Sequence, residues 1–395
     1  MIMKKTLICL LLLTTGGIYM SYAQKTDAAE FKKEITATLR TNIITEADWA
    51  MQQQPITVTE QTCSRSAGGK HDFYSEGDYW WPDPKNPNGP YIQKDGLTNP
   101  DNFVAHRLAM IRFSRIMGAL ASAYKLTHDA KYVKQAMIHL LAWFIDPETL
   151  MNPNLQFAQA IKGISTGRGI GIIDTIQLME VIQGLMTLEN APAMDKTVVK
   201  GVRNWFQQYL VWLNTSKNGQ QEKAAKNNHG TCWIMQVACF ARFTHNAPLM
   251  DTCANYYKNV LLPNQMAANG SFPLELKRTK PYGYSIFDLD AMTTICQILS
   301  TPKDNLWEYK TADGRSIKMG ISYLYPYLDD KSKWPFAHDV MYWNDWPVAQ
   351  PSLVFGAMAY QNKEWLNTWK RLDHDPKTEE IIRNLPVRHP LIWID

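Results

Sequence analysis

The chain has 395 residues, a 45% hydrophobic share and a formal net charge of +4, from 41 Lys and Arg against 37 Asp and Glu. That apolar share excludes an intrinsically disordered chain, and the lack of concentrated basic patches argues against a nucleic-acid partner. The length allows one large domain or two ordinary ones.

The N-terminus reads as a secretory signal peptide over residues 1–23. Lys4 and Lys5 give a positive start, Leu7 to Thr15 is an apolar run too short to span a bilayer, and Ser21 and Ala23 are small residues flanking a cleavage point before Gln24. Cys9 lies inside the apolar run, so no lipid anchor is expected. No later stretch offers the roughly 18 apolar residues of a membrane span. The mature chain, 24–395, is therefore expected to be soluble, periplasmic or secreted, and monomeric. Two of the positive charges leave with the leader, and the modest basic balance that remains suits an acidic substrate without arguing for one. Cys63, Cys232, Cys239, Cys253 and Cys296 survive processing. They are odd in number and form no C-x-x-C pair, so neither a zinc site nor a disulfide scaffold is expected, and a single disulfide stays open. No metal or cofactor is expected.

Helical signals dominate the rest. After Ala28–Asn42, apolar residues recur at three-and-four spacing from Asn102 to Thr127: Ala105, Leu108, Ala109, Phe113, Ile116, Met117, Leu120 and Tyr124. Further helices are predicted over Ala130–Phe144, Arg168–Leu188, Asp195–Leu213, Gly230–Thr244, Pro248–Leu262, Phe287–Leu299, Gly320–Leu328 and Pro351–Tyr360, most of them bounded by Pro, Gly, Asn or Asp. One short strand and turn is predicted at Leu306–Lys310 and Ala312–Arg315. The fold class is all-α. So many helices exceed what a four-helix bundle absorbs, and without a strict repeat they fit an incomplete or closed α/α toroid of helical hairpins, in a single domain. Gln61–Pro100, Leu262–Ile286 and Lys331–Gln350 resist a helical reading. Long connections of this kind are usually functional, and in a toroid they would gather over one mouth and form a cleft.

Two stretches carry candidate chemistry. Lys226-Asn227-Asn228-His229-Gly230 stands at a helix start, where polar residues also serve as caps, yet two Asn and a His exceed what a cap needs. From Asn269 to Ser285, Glu275, Lys277, Arg278 and Lys280 lie beside Tyr282 and Tyr284, in what also reads as a solvated loop. Tyr74, Tyr79, Trp80 and Trp81 suit sugar-face packing, as do Tyr342, Trp343, Trp346 and His338, although each Trp also reads as a packing residue. His71 and His106 are candidates for the cleft wall, while Arg112 and Arg115 read as solvated. Gly167-Arg168-Gly169-Ile170-Gly171 lacks the preceding strand and the spacing of a nucleotide-binding loop, and that reading is rejected.

Taken together, Asn227-Asn228-His229, the segment Asn269 to Leu276, Arg278 with Tyr284, and Tyr79-Trp80-Trp81-Pro82-Asp83-Pro84 resemble the alginate lyase family built on an α/α toroid (polysaccharide lyase family 5 and its relatives), over roughly residues 60 to 300. The resemblance implies β-elimination on a uronate polymer, which is the anionic polysaccharide partner expected here. Asn228 and His229 would bind the substrate carboxylate as charge moves onto it, Tyr284 would act as base, acid or both, and Arg278 would favour its phenolate. Tyr282 competes with Tyr284, since two residues apart in an extended segment place both on one side. Tyr79, Trp80, Trp81, Asn227, Tyr282, His106 and Trp343 are the expected substrate-binding set. The polymer is alginate of either epimer or a β-1,4-glucuronan. A glycoside hydrolase would instead need two facing carboxylates, drawn from Asp83, Asp174, Glu180, Glu275, Asp288, Asp290 and Asp339. A non-catalytic glycan-binding protein would account for the aromatics alone.

Overall fold

A computed structural model describes residues 28–394. The leader, 1–23, lies outside the described residues. The helices are α1 (28–50), α2 (Ala105–Thr127), α3 (Ala130–Phe144), α4 (Gln177–Leu188), α5 (Lys196–Thr215), α6 (Lys217–Lys223), α7 (Asn228–Phe243), α8 (Ala247–Tyr256), α9 (Leu262–Gln265), α10 (Pro273–Leu276), α11 (Pro281–Leu299), α12 (Ile317–Asp329), α13 (Pro351–Tyr360), α14 (Lys363–Arg371) and α15 (Glu379–Arg383). Local sequence sets many of the ends. Asp129, Asp195, Asn246 and Asn362 cap α3, α5, α8 and α14 through their side chains.

Helices α2, α4, α7, α11 and α13 pack successively on one another, and α3, α5, α8, α12 and α14 lie outside them. This is an α/α toroid. The inner row explains a feature of the sequence: apart from Gln297, every residue of α11 is buried, because that helix faces neighbours on all sides. Gly184 lets α4 lie close against α2, since a Cβ there would stand 3.1 Å from the Met117 carbonyl. On α1, Glu34 meets Lys370 of α14 at 2.7 Å and Glu46 meets Arg115 of α2 at 2.5 Å, so α1 joins the last hairpin to the first. The stretch Gly169–Leu188 is long and apolar enough to cross a membrane, but 78% of it is buried inside the fold. It opens as a tighter 3₁₀ turn, Gly169–Ile176, before becoming α4. All five described cysteines are free.

The loops differ from expectation. Residues 306–315 hold turns and no strand. The strands lie instead in the long loops: β1 (Tyr74–Glu76) pairs in parallel with β4 (Phe157–Ala160), and β2 (Trp80–Trp81) pairs antiparallel with β3 (Ile92–Gln93).

The C-terminal segment is tied down electrostatically. His389 lies between Glu46 at 2.9 Å and Glu180 at 3.2 Å, in space left by Gly118, where a Cβ would fall 2.1 Å from its ring. Burial alone would lower the imidazole pKa, but the two carboxylates override it and raise it to about 9. A folded value above the unfolded 6.5 gives stability that is full below pH 6.5 and lost as pH rises through about 9. The expected loss is on the order of 3 kcal/mol. Thermal unfolding between pH 6.5 and 9.5 checks it: the melting point should fall in the wild type and stay flatter in His389→Gln.

Candidate active site

The site forms where the strand-bearing loops meet the starts of α7 and α11. A run of glycines lets the 3₁₀ turn press on β4. A Cβ on Gly167 would stand 2.0 Å from the Gln156 carbonyl, and one on Gly171 would stand 2.5 Å from Ala158. Arg168 is thereby held in the cleft wall.

Helix α7 starts at Asn228 because Glu275, 47 residues on, accepts the Asn228 N–H at 2.8 Å. His229 follows. Its Nδ1 donates to the fully buried Glu222 carboxylate at 2.7 Å. A carboxylate only accepts, so this bond fixes the proton on Nδ1 and leaves Nε2 for the cleft that His229 lines.

Helix α11 starts earlier than periodicity suggests. Pro281 occupies its first turn, and Asp339 accepts the N–H groups of Tyr282 and Gly283, each at 2.9 Å. This separates the two tyrosines. In a helix, residues two apart lie roughly 200° apart around the axis, so the extended-segment argument fails. Tyr282 points into the protein, where its hydroxyl donates to the Tyr327 carbonyl at 2.9 Å and its ring meets Trp334 and Trp343. Tyr284 points into the cleft, where its hydroxyl lies 2.6 Å from that of Tyr79.

Cations surround this pair. The Arg278 guanidinium sits 4.5 Å over the Tyr284 ring and bonds Asp95 at 2.8 Å. The Lys280 ammonium, paired with Glu380, lies 5.1 Å from the Tyr79 ring and 5.2 Å from that of Tyr284. Beneath them Asp78 joins Arg107 at 2.8 Å and Arg383 at 2.6 Å. Burial would raise the Asp78 carboxyl, but the two guanidinium groups hold it well below the usual carboxylate range. For Tyr284 the balance goes the other way. Burial and the Tyr79 hydroxyl push the phenol well above 10, and Arg278, its charge shared with Asp95, opposes them only in part. Arg278 favours the phenolate, as expected, but burial outweighs it, and Tyr284 rests as a phenol.

The cleft gathers Asn228, His229, Arg278, Tyr284, Tyr79 and Trp80. Other predicted residues fall outside its lining. His106 is buried with both ring nitrogens occupied: Nδ1 accepts the Tyr74 N–H at 2.9 Å and Nε2 bonds the Gln61 carbonyl at 2.8 Å. Trp343 stacks on His338 at 3.9 Å. Trp81 donates to the Leu97 carbonyl and packs under Lys94, and Asn227 offers its carbonyl to Gln265. Sequence reasoning missed Asp78, Gln159, Glu222 and Arg383, gave Arg168 no role, and named Lys280 only as a neighbour of the tyrosines. The glycines around Arg168 were a legible signal, set aside with the nucleotide-loop reading. A larger hollow of about 630 Å³ between α1, α2 and the C-terminal segment contains none of the motif residues.

Comparison with known proteins bears on this arrangement. The family model described as alginate lyase matches residues 57–334. The chain belongs to the alginate lyase family. A solved alginate lyase from Bacteroides ovatus is 31% identical, with a TM-score of 0.79 over 93% of this chain and 97% of that one. Alginate lyase A1-III from Sphingomonas species A1 shares the fold at 13% identity and a TM-score of 0.53, over 82% of this chain and 89% of that one. A histidine-to-alanine form of A1-III complexed with a tetrasaccharide matches at 12% identity and a TM-score of 0.58, over 89% and 94%. No curated protein sequence matches significantly. This member of the family is thus a polysaccharide lyase.

Proposed function

We propose that this enzyme depolymerises alginate by β-elimination at the Tyr284 cleft. The C-5 proton leaves, its bonding pair forms the C-4=C-5 double bond, the C-4–oxygen bond breaks, and the leaving oxygen takes up a proton. Asn228 suits the carboxylate on C-5, because a fixed donor stabilises the charge that gathers there, and His229 joins it as a donor only where Nε2 carries a proton. The observation that carries the reading is the Tyr284 hydroxyl, directed into a cleft lined by Arg168, Arg278 and Arg383, with Lys280 buried 5.2 Å from its ring.

Two proton routes are open to these groups. As a resting phenol, Tyr284 is ready to protonate the leaving oxygen. With His229 held as the Nδ1–H tautomer, Nε2 is a base for a proton on the opposite sugar face, the guluronate geometry. In the mannuronate geometry proton and leaving group share a face, and Tyr284 would serve as both base and acid, with Arg278 stabilising its phenolate. A glycoside hydrolase is disfavoured. The carboxylate lining the cleft among the described residues, Asp78, is locked between two arginines and has no facing partner. A leader at residues 1–23, as expected from the sequence, would fit an exported enzyme acting on an external polymer.

Incubation with polymannuronate, polyguluronate and β-1,4-glucuronan tests the reading. The expected result is growing ultraviolet absorbance from the double bond conjugated to the carboxylate, with the better alginate block selecting the proton route. Reducing ends released without that absorbance would make the enzyme a hydrolase. Turnover of glucuronan alone would replace alginate as substrate.

A further inference from the structure

Around the cleft, cations come with carboxylates. Arg278 pairs with Asp95 at 2.8 Å, Lys280 with Glu380, and Arg383 with Asp78 at 2.6 Å and Glu380 at 3.2 Å. Arg168 is different. Its Nε donates to the Gln159 carbonyl at 2.9 Å and its Nη2 to the Gln159 side-chain oxygen at 3.0 Å, both neutral acceptors. Among the described residues it forms no ion pair. Burial lowers its pKa to about 10, which still leaves a full charge at neutral pH.

The holder is built for this task. Gln159 is buried and has a φ of +48°, a left-handed conformation that residues bearing a Cβ seldom adopt. Its N–H donates to Ser75 at 2.9 Å, and the twist lets its main-chain and side-chain oxygens grip one guanidinium. The Arg168 N–H donates to the Ala158 carbonyl at 3.1 Å, and Gly167 leaves no side chain in the way. Two guanidinium nitrogens are thus spent on positioning, and Nη1 remains for a ligand. The Trp80 ring, a sugar-face platform, lies 5.8 Å from the guanidinium in the same cleft.

A cation in contact with a carboxylate has little to offer a second anion, whereas Arg168 feels Asp78, Asp174 and Glu222 only from beyond salt-bridge distance and keeps Nη1 free for one. The carboxylate of the reacting sugar already has Asn228. We propose that Arg168, gripped by Gln159, binds the carboxylate of the uronate next to the reacting unit, so that the enzyme requires an acidic neighbour as well as an acidic reacting sugar. This rests on the alginate reading.

Steady-state kinetics of wild type, Arg168→Gln and Arg168→Lys on alginate, and on alginate with part of its carboxylates reduced to alcohols, tests the proposal. In Arg168→Gln, KM for alginate should rise about 10- to 100-fold, the usual effect of losing a charged hydrogen bond, while kcat falls less than about threefold. The preference for intact over reduced polymer should shrink by a similar factor. Arg168→Lys, which keeps the charge and loses the fork, should lie between and covers the case of a poorly folded glutamine variant. A KM within twofold of wild type in both variants would overturn the proposal, as would a fall in kcat at unchanged KM, which would move Arg168 to the reacting centre. A wild-type enzyme inactive on alginate would instead defeat the reading beneath it.

Discussion

Tyr284→Phe should lower turnover roughly 10²- to 10⁴-fold, the range for loss of a positioned acid–base group, with melting point and polymer binding close to wild type. The phenol lines the cleft, and its hydroxyl partner is Tyr79, itself in the cleft wall. Phenylalanine keeps the ring that Arg278 covers and removes only the atom able to carry the proton. Tyr282→Phe is the matched control. Its hydroxyl spans no part of the cleft and bonds the Tyr327 carbonyl, so its loss should cost about 1 kcal/mol of stability and change turnover by no more than a few-fold. Initial rates and thermal unfolding on both variants decide the matter. More than a tenth of wild-type turnover in Tyr284→Phe would take Tyr284 out of the proton transfer. A collapse of turnover in a well-folded Tyr282→Phe would show that the helical register does not govern which tyrosine acts.

These two tyrosines also show what the sequence can and cannot disclose. Helix interiors were legible, because burial imposes a three-and-four periodicity on them, and α2, α3 and α13 lie close to their expected spans. The start of α11 was not legible. Its capping carboxylate, Asp339, is 57 residues away, and no local pattern records a cap supplied by a different loop. The same holds for Glu275 at the start of α7. Since periodicity placed the helix start at Phe287, Tyr282 and Tyr284 looked extended, and Tyr282 stood as a competitor to the favoured Tyr284. Asn228, His229, Arg278 and Tyr284 were legible as a compact set of unusual residue types. Glu222 was not, because a lone glutamate in a polar stretch carries no mark of the histidine it will orient. His106 misled for the opposite reason: a histidine on a long helix reads as available, yet its two nitrogens pin the Tyr74 and Gln61 backbone.

Asp78→Ala should be the most destabilising single change near the cleft, at about 3–5 kcal/mol, the cost of removing one partner from a buried ion cluster. The Asp78 side chain is 5% exposed and that of Arg107 is 2% exposed, so water cannot replace the lost carboxylate. Among the described residues Arg107 would retain only Asp174, at 3.8 Å, and Arg383 only Glu380, at 3.2 Å, which is also the partner of Lys280. The two guanidinium groups already oppose each other across the carboxylate, and without it that repulsion stands uncompensated. The damage also reaches the site, because Asp78 is the neighbour of Tyr79 and its carboxylate ties the loop that carries Tyr79 and Trp80 to Arg107 and Arg383. A fall in melting point of roughly 5–15 °C is expected. Asp78→Asn, which keeps the shape and the accepting oxygen, should lose less. If Asp78→Ala melts within a degree of wild type, the cluster does not hold this loop, and the placement of Tyr79 against Tyr284 must come from Lys280 and the Trp80–Gln93 strand pairing instead.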